Sequence, residues 1–284
     1  MTRLKALPGV EVVEIEPGHA HCARQFEIDI VQPLNHNNPD GDTFRQRLYL
    51  SHVNESLPVV FFPSGYWARP STLYELTEMM SCNQIAVAHR FYEGAMPDNL
   101  NWQYLTIEQA ANDFHRVVEV FKTIYPGTWV STGRSKSGMS AVFHKRFFPD
   151  DVAATVAYSA PLPVGNPDQR YMTWLDSQGT PECQDRTKQF QRALLKNRDA
   201  LEPMLDDYFA SLNTTPCCGT GVVFEWLITE YRYTFWQQQT PDCQAIPDSL
   251  APTPELFDHL IQICWHAASY GADQSITSRA YHYQ

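Results

Sequence analysis

The 284-residue chain predicts an α/β protein of the doubly wound type, and three observations carry that expectation. Short apolar runs bounded by turns, Pro58–Pro63 (PVVFFP), Gln84–Ala88 (QIAVA) and Val152–Tyr158 (VAATVAY), have the composition of strands buried on both faces. Stretches of helical period alternate with them. At Thr128–Met139 (TWVSTGRSKSGM) a β-prone run reaches Gly133, and Lys136–Phe148 then reads as a helix. Such alternation predicts a sheet covered by helices, with a site at the strand C-termini.

The elements follow in order. Residues 26–32 (FEIDIVQ) and 45–50 (RQRLYL) alternate apolar and polar, with the turn cluster NHNNPDGD at 35–42 between them, and predict an antiparallel hairpin. The run 58–63 ends in Ser64-Gly65-Tyr66-Trp67, a turn carrying two aromatics of exposed character. Thr72–Met80 reads as a helix. The run 84–88 leads directly into His89-Arg90-Phe91-Tyr92-Glu93-Gly94. From Thr106 to Tyr125 the chain predicts its clearest helix, with Thr106 as cap and Gln109 closing a capping box. One face of that helix carries Ile107, Ala110, Ala111, Phe114, Val117, Val118, Phe121 and Ile124. Tyr125-Pro126-Gly127 stops it.

After Ser159-Ala160-Pro161 the alternation ceases. The expected division is therefore 1–165, the sheet, and 166–284, a largely helical insertion or second domain. Within the latter, Asp185–Leu195 and Pro254–Ala268 read as helices. Gly221–Trp236 is ambiguous, because its β-branched residues favour strand and its length favours helix.

Composition excludes several function classes. A net charge of −11 argues against nucleic acid and against anionic membrane surfaces as partners. No run of 18 apolar residues marks a transmembrane helix. The start MTRLKALPGV has basic residues and no apolar core, so it is not an intact signal peptide. None of the seven cysteines has zinc-ligand spacing, and no metal or cofactor is expected. Four of them lie between 183 and 243, which fits a disulfide-stapled insertion in an exported protein or buried free thiols.

The chemistry centres on Ser135. A serine between a strand and a helix has the setting of a nucleophile elbow, where a strained turn lifts its oxygen clear of the sheet. Gly133 supplies the small residue two before it. Two after it, where a second glycine is usual, stands Ser137, with Gly138 next; a glycine-bearing loop without chemistry reads equally well from this motif. His89 and Arg90 end a buried strand beside this position. Arg90 reads as substrate-binding or site-supporting, and His89 as a satisfied core histidine. Glu93, Asp98, Glu225 or Glu230 could hold a substrate's N-terminal amine, though a solvated carboxylate is the default for each. Phe235, Trp226 and Trp236 read as pocket lining or aromatic core.

Four stretches together carry a family resemblance: HRFYEGAMP at 89–97, LTIEQAANDFHRVV at 105–118, the block 129–161 and FWQ at 235–237. They resemble the secreted serine peptidases of the tripeptidyl-aminopeptidase (PS-10) type. More distantly they are similar to the prolyl carboxypeptidases and dipeptidyl peptidases of the same α/β-hydrolase clan. The resemblance implies an α/β-hydrolase domain bearing a helical cap, here 166–284, and a Ser–Asp–His triad. It carries Ser135 over as nucleophile. The oxyanion hole would use the amide after it, Lys136, and one from the 64–67 loop, for which Tyr66 is chosen. In this fold the acid and histidine follow the nucleophile, beyond the cap, and the return segment that bears them looks missing here. His259, His266 and His282 are the histidines that follow the elbow helix, and each reads as a cap residue.

The implied function is a serine exopeptidase acting on peptides with free N-termini through an acyl-enzyme, with a peptide substrate and secreted or periplasmic localisation. A non-catalytic homologue, or an esterase or other acyl hydrolase on the same fold, are the alternatives. An unpaired strand edge predicts a homodimer or poor solubility.

Overall fold

An antiparallel ribbon opens the sheet. The computed structural model describes residues 2–165 and 167–272. After one helical turn, α1 (Thr2–Lys5), strand β1 (Val10–Ile15) pairs antiparallel with β2 (Arg24–Pro33), and β2 pairs antiparallel with β3 (Thr43–His52). The two-residue period of a strand puts Phe26, Ile28 and Ile30 of β2 and Leu48 and Leu50 of β3 on one buried face. Strand β1 was not expected. Of its four apolar residues, Val10 and Val12 pack against the core, Ile15 is half-buried and Val13 faces solvent.

Next come β4 (Val59–Pro63), α2 (Glu75–Met80) and β5 (Asn83–Val87). Both strands are buried at every position, as strands covered on both faces must be. Helix α2 is shorter than the expected 72–80, because Tyr74 is still extended.

Helix α3 (Ile107–Lys122) follows, with Thr106 Oγ1 accepting the Gln109 amide at 3.2 Å. The reciprocal half of the expected capping box does not form. Gln109 Oε1 accepts the His36 amide instead, at 2.8 Å. On the apolar face of α3 only Ile107 departs from expectation, being 45% exposed. Strand β6 (Trp129–Arg134), helix α4 (Lys136–Phe147) and strand β7 (Ala154–Tyr158) complete the unit.

The sheet order is β1-β2-β3-β5-β4-β6-β7. Strands β5, β4, β6 and β7 are mutually parallel; β3 joins β5 antiparallel. From β4 the chain moves outward to β5, then crosses through α3 to β6 on the opposite side of β4. This reversal leaves a crevice at the C-terminal ends of β4 and β6.

Behind that crevice lies a buried ion pair. Arg90 and Asp113 are both fully buried. Arg90 Nε and Nη2 donate to the two Asp113 oxygens at 2.7 and 2.8 Å, and its other N–H groups go to the carbonyls of Pro33, Leu34 and Tyr104. His36 Nε2 joins Asp113 at 2.7 Å. One residue pair thus ties the ends of β2 and β5 and the approach to α3 onto the helix itself.

From Pro163 the chain forms a second compact unit. Its helices are α5 (Gln169–Asp176), α6 (Pro181–Lys196), α7 (Arg198–Ser211), α8 (Thr220–Trp236) and α9 (Thr253–Ile263). The ambiguous stretch 221–236 is helical. Val223, Phe224, Leu227, Ile228, Tyr231 and Phe235 recur at helical spacing and are buried, so core packing overrides the β-branched preference. Helices α5 and α7 were not individually expected, and α7 carries Pro203 in its interior. Helix α9 ends earlier than the expected Ala268, at Cys264, whose backbone leaves the helical region. Cys183 and Cys243 form a disulfide with a Cα–Cα distance of 5.5 Å, and Cys217 Sγ lies 3.2 Å from Cys218 Sγ.

Two outcomes are expected. Closing a 60-residue loop stabilises the second unit by about 4 kcal/mol, so Cys183→Ser should lower its thermal transition in calorimetry, with little further effect of reductant. Burial raises the Asp113 pKa, but the Arg90 charge, its hydrogen bonds and His36 outweigh that and leave it lowered. The pair therefore contributes fully above the unfolded aspartate pKa of about 4, and that stability is lost as pH falls below it. Asp113→Asn should cost roughly 3–5 kcal/mol in urea unfolding at pH 7 and flatten the acid limb of the stability profile.

Candidate active site

Ser135 forms the whole connection between β6 and α4. Its backbone sits at φ 56°, ψ −127°, a conformation that L-residues avoid at a cost of about 1–3 kcal/mol. The turn is held from both sides. The Ser135 amide donates to the Tyr158 carbonyl of β7 at 2.9 Å, and its carbonyl accepts the Met139 amide at 3.0 Å in the first turn of α4. The residue itself is exposed.

Close packing explains the glycines. A Cβ at position 133 would stand 2.2 Å from the Ser137 carbonyl oxygen, and one at 138 would stand 2.8 Å from Ala160 Cβ. The tight approach is made by Gly133 and Gly138, so the small Ser137 side chain is accommodated where a glycine is usual. Its hydroxyl has a use of its own. Ser137 Oγ accepts the Gly65 amide at 3.0 Å and ties the β4 loop to the elbow. A Cβ on Gly65 would lie 2.6 Å from Lys136 Cγ, so that loop lies directly against the elbow helix.

The two amides expected at the oxyanion position stand on these adjoining pieces. The Lys136 amide opens α4, where the helix presents its positive end. The Tyr66 amide donates to Ser64 Oγ at 3.0 Å, and the Ser64 hydroxyl donates to the Trp67 carbonyl at 2.8 Å. Tyr66 is also anchored through its carbonyl, which accepts the His89 amide at 2.7 Å.

Around them is an aromatic cluster. The Tyr92 ring stands edge-on to Tyr66 and to His89, with centroids 5.5 and 5.7 Å apart. His89 Nδ1 lies 2.8 Å from the Arg90 carbonyl, which can only accept, so that nitrogen carries the proton. Burial, aided by the nearby Lys136 charge, pushes the His89 pKa down to about 3. The imidazole is neutral at ordinary pH, as expected of a core histidine.

The remaining candidates have these partners. Arg90 spends all five N–H groups on protein acceptors. Glu93 is exposed and paired with Arg69 at 2.9 Å. In the second unit Glu225 pairs with Arg198, and Glu230 accepts from His266 and from Tyr270 at 2.9 Å. His259 is buried against the Tyr231 hydroxyl at 2.9 Å. Phe235 is core, and Trp226 and Trp236 pack against it. His282 lies outside the described residues.

Asp113 and Tyr92 escaped the sequence reading. Asp113 had a signal: a carboxylate beside Phe114 on the buried face of a helix requires a partner. Tyr92 had none.

A strand, a one-residue turn in a strained conformation and a helix, on a mixed sheet of this order, define an α/β-hydrolase. Within that class the family is also clear. The model of the PS-10 peptidase S37 family matches residues 1–284, and the chain belongs to that family. It is 33% identical over 267 residues to a prolyl tri/tetrapeptidyl aminopeptidase of Streptomyces mobaraensis, covering 92% of this chain and 55% of that protein. It is 28% identical over 154 residues to a lysosomal Pro-X carboxypeptidase of Bos taurus, covering 47% of this chain and 31% of that one. The chain thus spans about half the length of the first of these relatives and a third of the second. Among solved structures, a proline iminopeptidase of Mycobacterium smegmatis aligns with a TM-score of 0.45 at 11% identity, covering 87% of this chain and 69% of that one.

The elbow makes its own prediction. Ser137→Ala should leave the buried Gly65 amide without its acceptor and cost about 1–3 kcal/mol in chemical denaturation. Gly133→Val should cost far more, reading out as insoluble or unfolded protein, because its Cβ has no space.

Proposed function

We propose that this chain supplies the nucleophile and oxyanion arm of a serine exopeptidase that releases short peptides from free N-termini. One observation carries the proposal: Ser135 is exposed at the tip of a strained elbow, at the crevice where the sheet order reverses. The family supports peptide hydrolysis, and the name of the Streptomyces mobaraensis relative supports a prolyl tri- or tetrapeptide as the released product.

In this reading Ser135 Oγ attacks the scissile carbonyl and loses its proton to a base. The C–N bond breaks, the amine leaves with a proton, and water then releases the acyl group. The developing oxyanion is received by the Lys136 amide, and by the Tyr66 amide once it turns from Ser64 Oγ. Arg90 and Asp113 support the loops that carry these groups. His89, His259 and His266 each make a hydrogen bond within their own unit, to the Arg90 carbonyl, the Tyr231 hydroxyl and Glu230. A second reading is a peptide-binding homologue with an idle serine.

An exported location is supported by the Cys183–Cys243 disulfide, which persists under oxidising conditions. Among the described residues no helix is long and apolar enough to cross a membrane. Self-association is supported by β7, which has no outer neighbour among the described residues and whose side chains are mostly exposed. Light scattering should then show a dimer.

Chromogenic tripeptide amides ending in proline, with free and with acetylated N-termini, test the activity. Hydrolysis of the free form only, reduced about 10⁴-fold or more by Ser135→Ala, is expected. Equal hydrolysis of both would make the protein an endopeptidase or general acyl hydrolase. No hydrolysis, with tight binding of the peptide, would favour the idle homologue.

A further inference from the structure

Lys136 enters the proposed chemistry through its backbone amide alone, yet its side chain is built into the same structure. The ammonium donates to the Tyr92 hydroxyl at 2.7 Å. It lies 4.6 Å from the centroid of the Tyr92 ring and 5.0 Å from that of Tyr66. Its stem meets Gly65, where no Cβ would fit. The lysine therefore touches three pieces at once: the first turn of α4, the loop that bears the Tyr66 amide, and the segment after β5 that receives the Tyr66 carbonyl. A cation that donates to one hydroxyl and lies within 5.0 Å of a second ring's centroid ties both aromatics together, through a charge-assisted hydrogen bond to Tyr92 and a cation–π attraction to Tyr66 that strengthens where water is excluded.

We propose that the Lys136 side chain is a positioning residue, a cation–π clamp that holds the Tyr66 arm in register with the elbow so that both oxyanion donors stand ready before substrate binds. The proposal rests on Ser135 being the nucleophile. Because the clamp needs a charged lysine, it has a pH signature. Burial pulls the Lys136 pKa down to about 7, so the clamp is engaged below that pH and released as pH rises through it. Among the described residues, the groups facing the ammonium include the Tyr66 ring from the β4 loop and Tyr92 and neutral His89 from the segment after β5. The Arg90 charge from the segment after β5 and the Asp113 charge from α3 act on His89.

The test measures the rate at which a fluorophosphonate modifies Ser135, by intact mass, from pH 5.5 to 9.5. In this reaction the serine oxygen–phosphorus bond forms, fluoride leaves, and the phosphoryl oxygen occupies the oxyanion position. The wild-type rate should decline above about pH 7. Lys136→Met should be about 10- to 100-fold slower at pH 6.5, the range expected when a reacting geometry loosens. Tyr92→Phe, which keeps the ring and loses the hydroxyl, should fall between the two. Lys136→Arg should recover most of the loss and abolish the decline above pH 7, because its charge persists. A structural role alone would not separate arginine from methionine in pH dependence. In parallel, trace acetylation of the amine in Ser135→Ala, read by peptide mass, should titrate Lys136 near 7. Labelling indifferent to Lys136→Met, or a lysine that titrates like an exposed one, overturns the clamp and leaves the nucleophile intact. A wild type that takes no probe at any pH overturns the nucleophile itself, and the positioning role with it.

Discussion

One strained residue organises this molecule. Ser135 cannot rest at φ 56° unless the elements on either side are fixed, and the structure fixes them through contacts that leave no room for a Cβ at Gly133. Strand β6 and helix α4 are thereby pressed together at their junction, with the helix start facing the exposed side chain. The strain is offset by the Ser135–Tyr158 and Ser135–Met139 backbone bonds and by the burial of β6. Relaxing the turn would move the hydroxyl and the adjacent amide together.

The elbow is tied to the β4 loop, whose position follows from two separate anchors. Ser137 Oγ holds Gly65 from the elbow side, while the segment after β5 holds Tyr66 through the His89 amide. That segment is itself immobilised by Arg90, whose every donor is used and whose charge is balanced by Asp113 on α3. Buried charge is expensive, and a pair with all hydrogen bonds satisfied is the arrangement that tolerates it. The cost is accepted here beside the crevice, where three loops must keep one geometry. Sheet, ion pair and elbow thus form a chain of dependence that ends at Ser135 and its neighbours.

Much of the fold was legible because it depends on periodicity. The runs PVVFFP and QIAVA announce buried parallel strands, and the face of α3 is readable residue by residue apart from the exposed Ile107. Strand β1 was hidden, since Val13 breaks its alternation. The stretch 221–236 stayed ambiguous because β-branched residues recur at a spacing that only burial in a helical core resolves. The second half of the expected capping box failed for a related reason: Gln109 found a better partner in the distant His36 amide. Local rules name a residue's options, and tertiary neighbours choose among them.

The same division runs through the site. Sequence by itself located the elbow, because a β-prone run, a glycine, a serine and a helix are contiguous, although a glycine-bearing loop without chemistry reads equally well from that motif. It also determined that Arg90 and His89 end a strand near that elbow, and that the chain resembles serine peptidases. Only the tertiary structure decided what those residues do. Arg90 is closed off by acceptors drawn from Pro33, Leu34, Tyr104 and Asp113, which no spacing reveals. Ser137, which looked like a departure from the motif, is a tether to Gly65. Lys136 turns from an ordinary basic residue into a half-buried cation beside two rings, because partners 70 and 44 positions earlier in the chain are brought to it by the sheet. A hydrogen bond or cation–π contact depends on distance in space, and that quantity is set by the order of the strands.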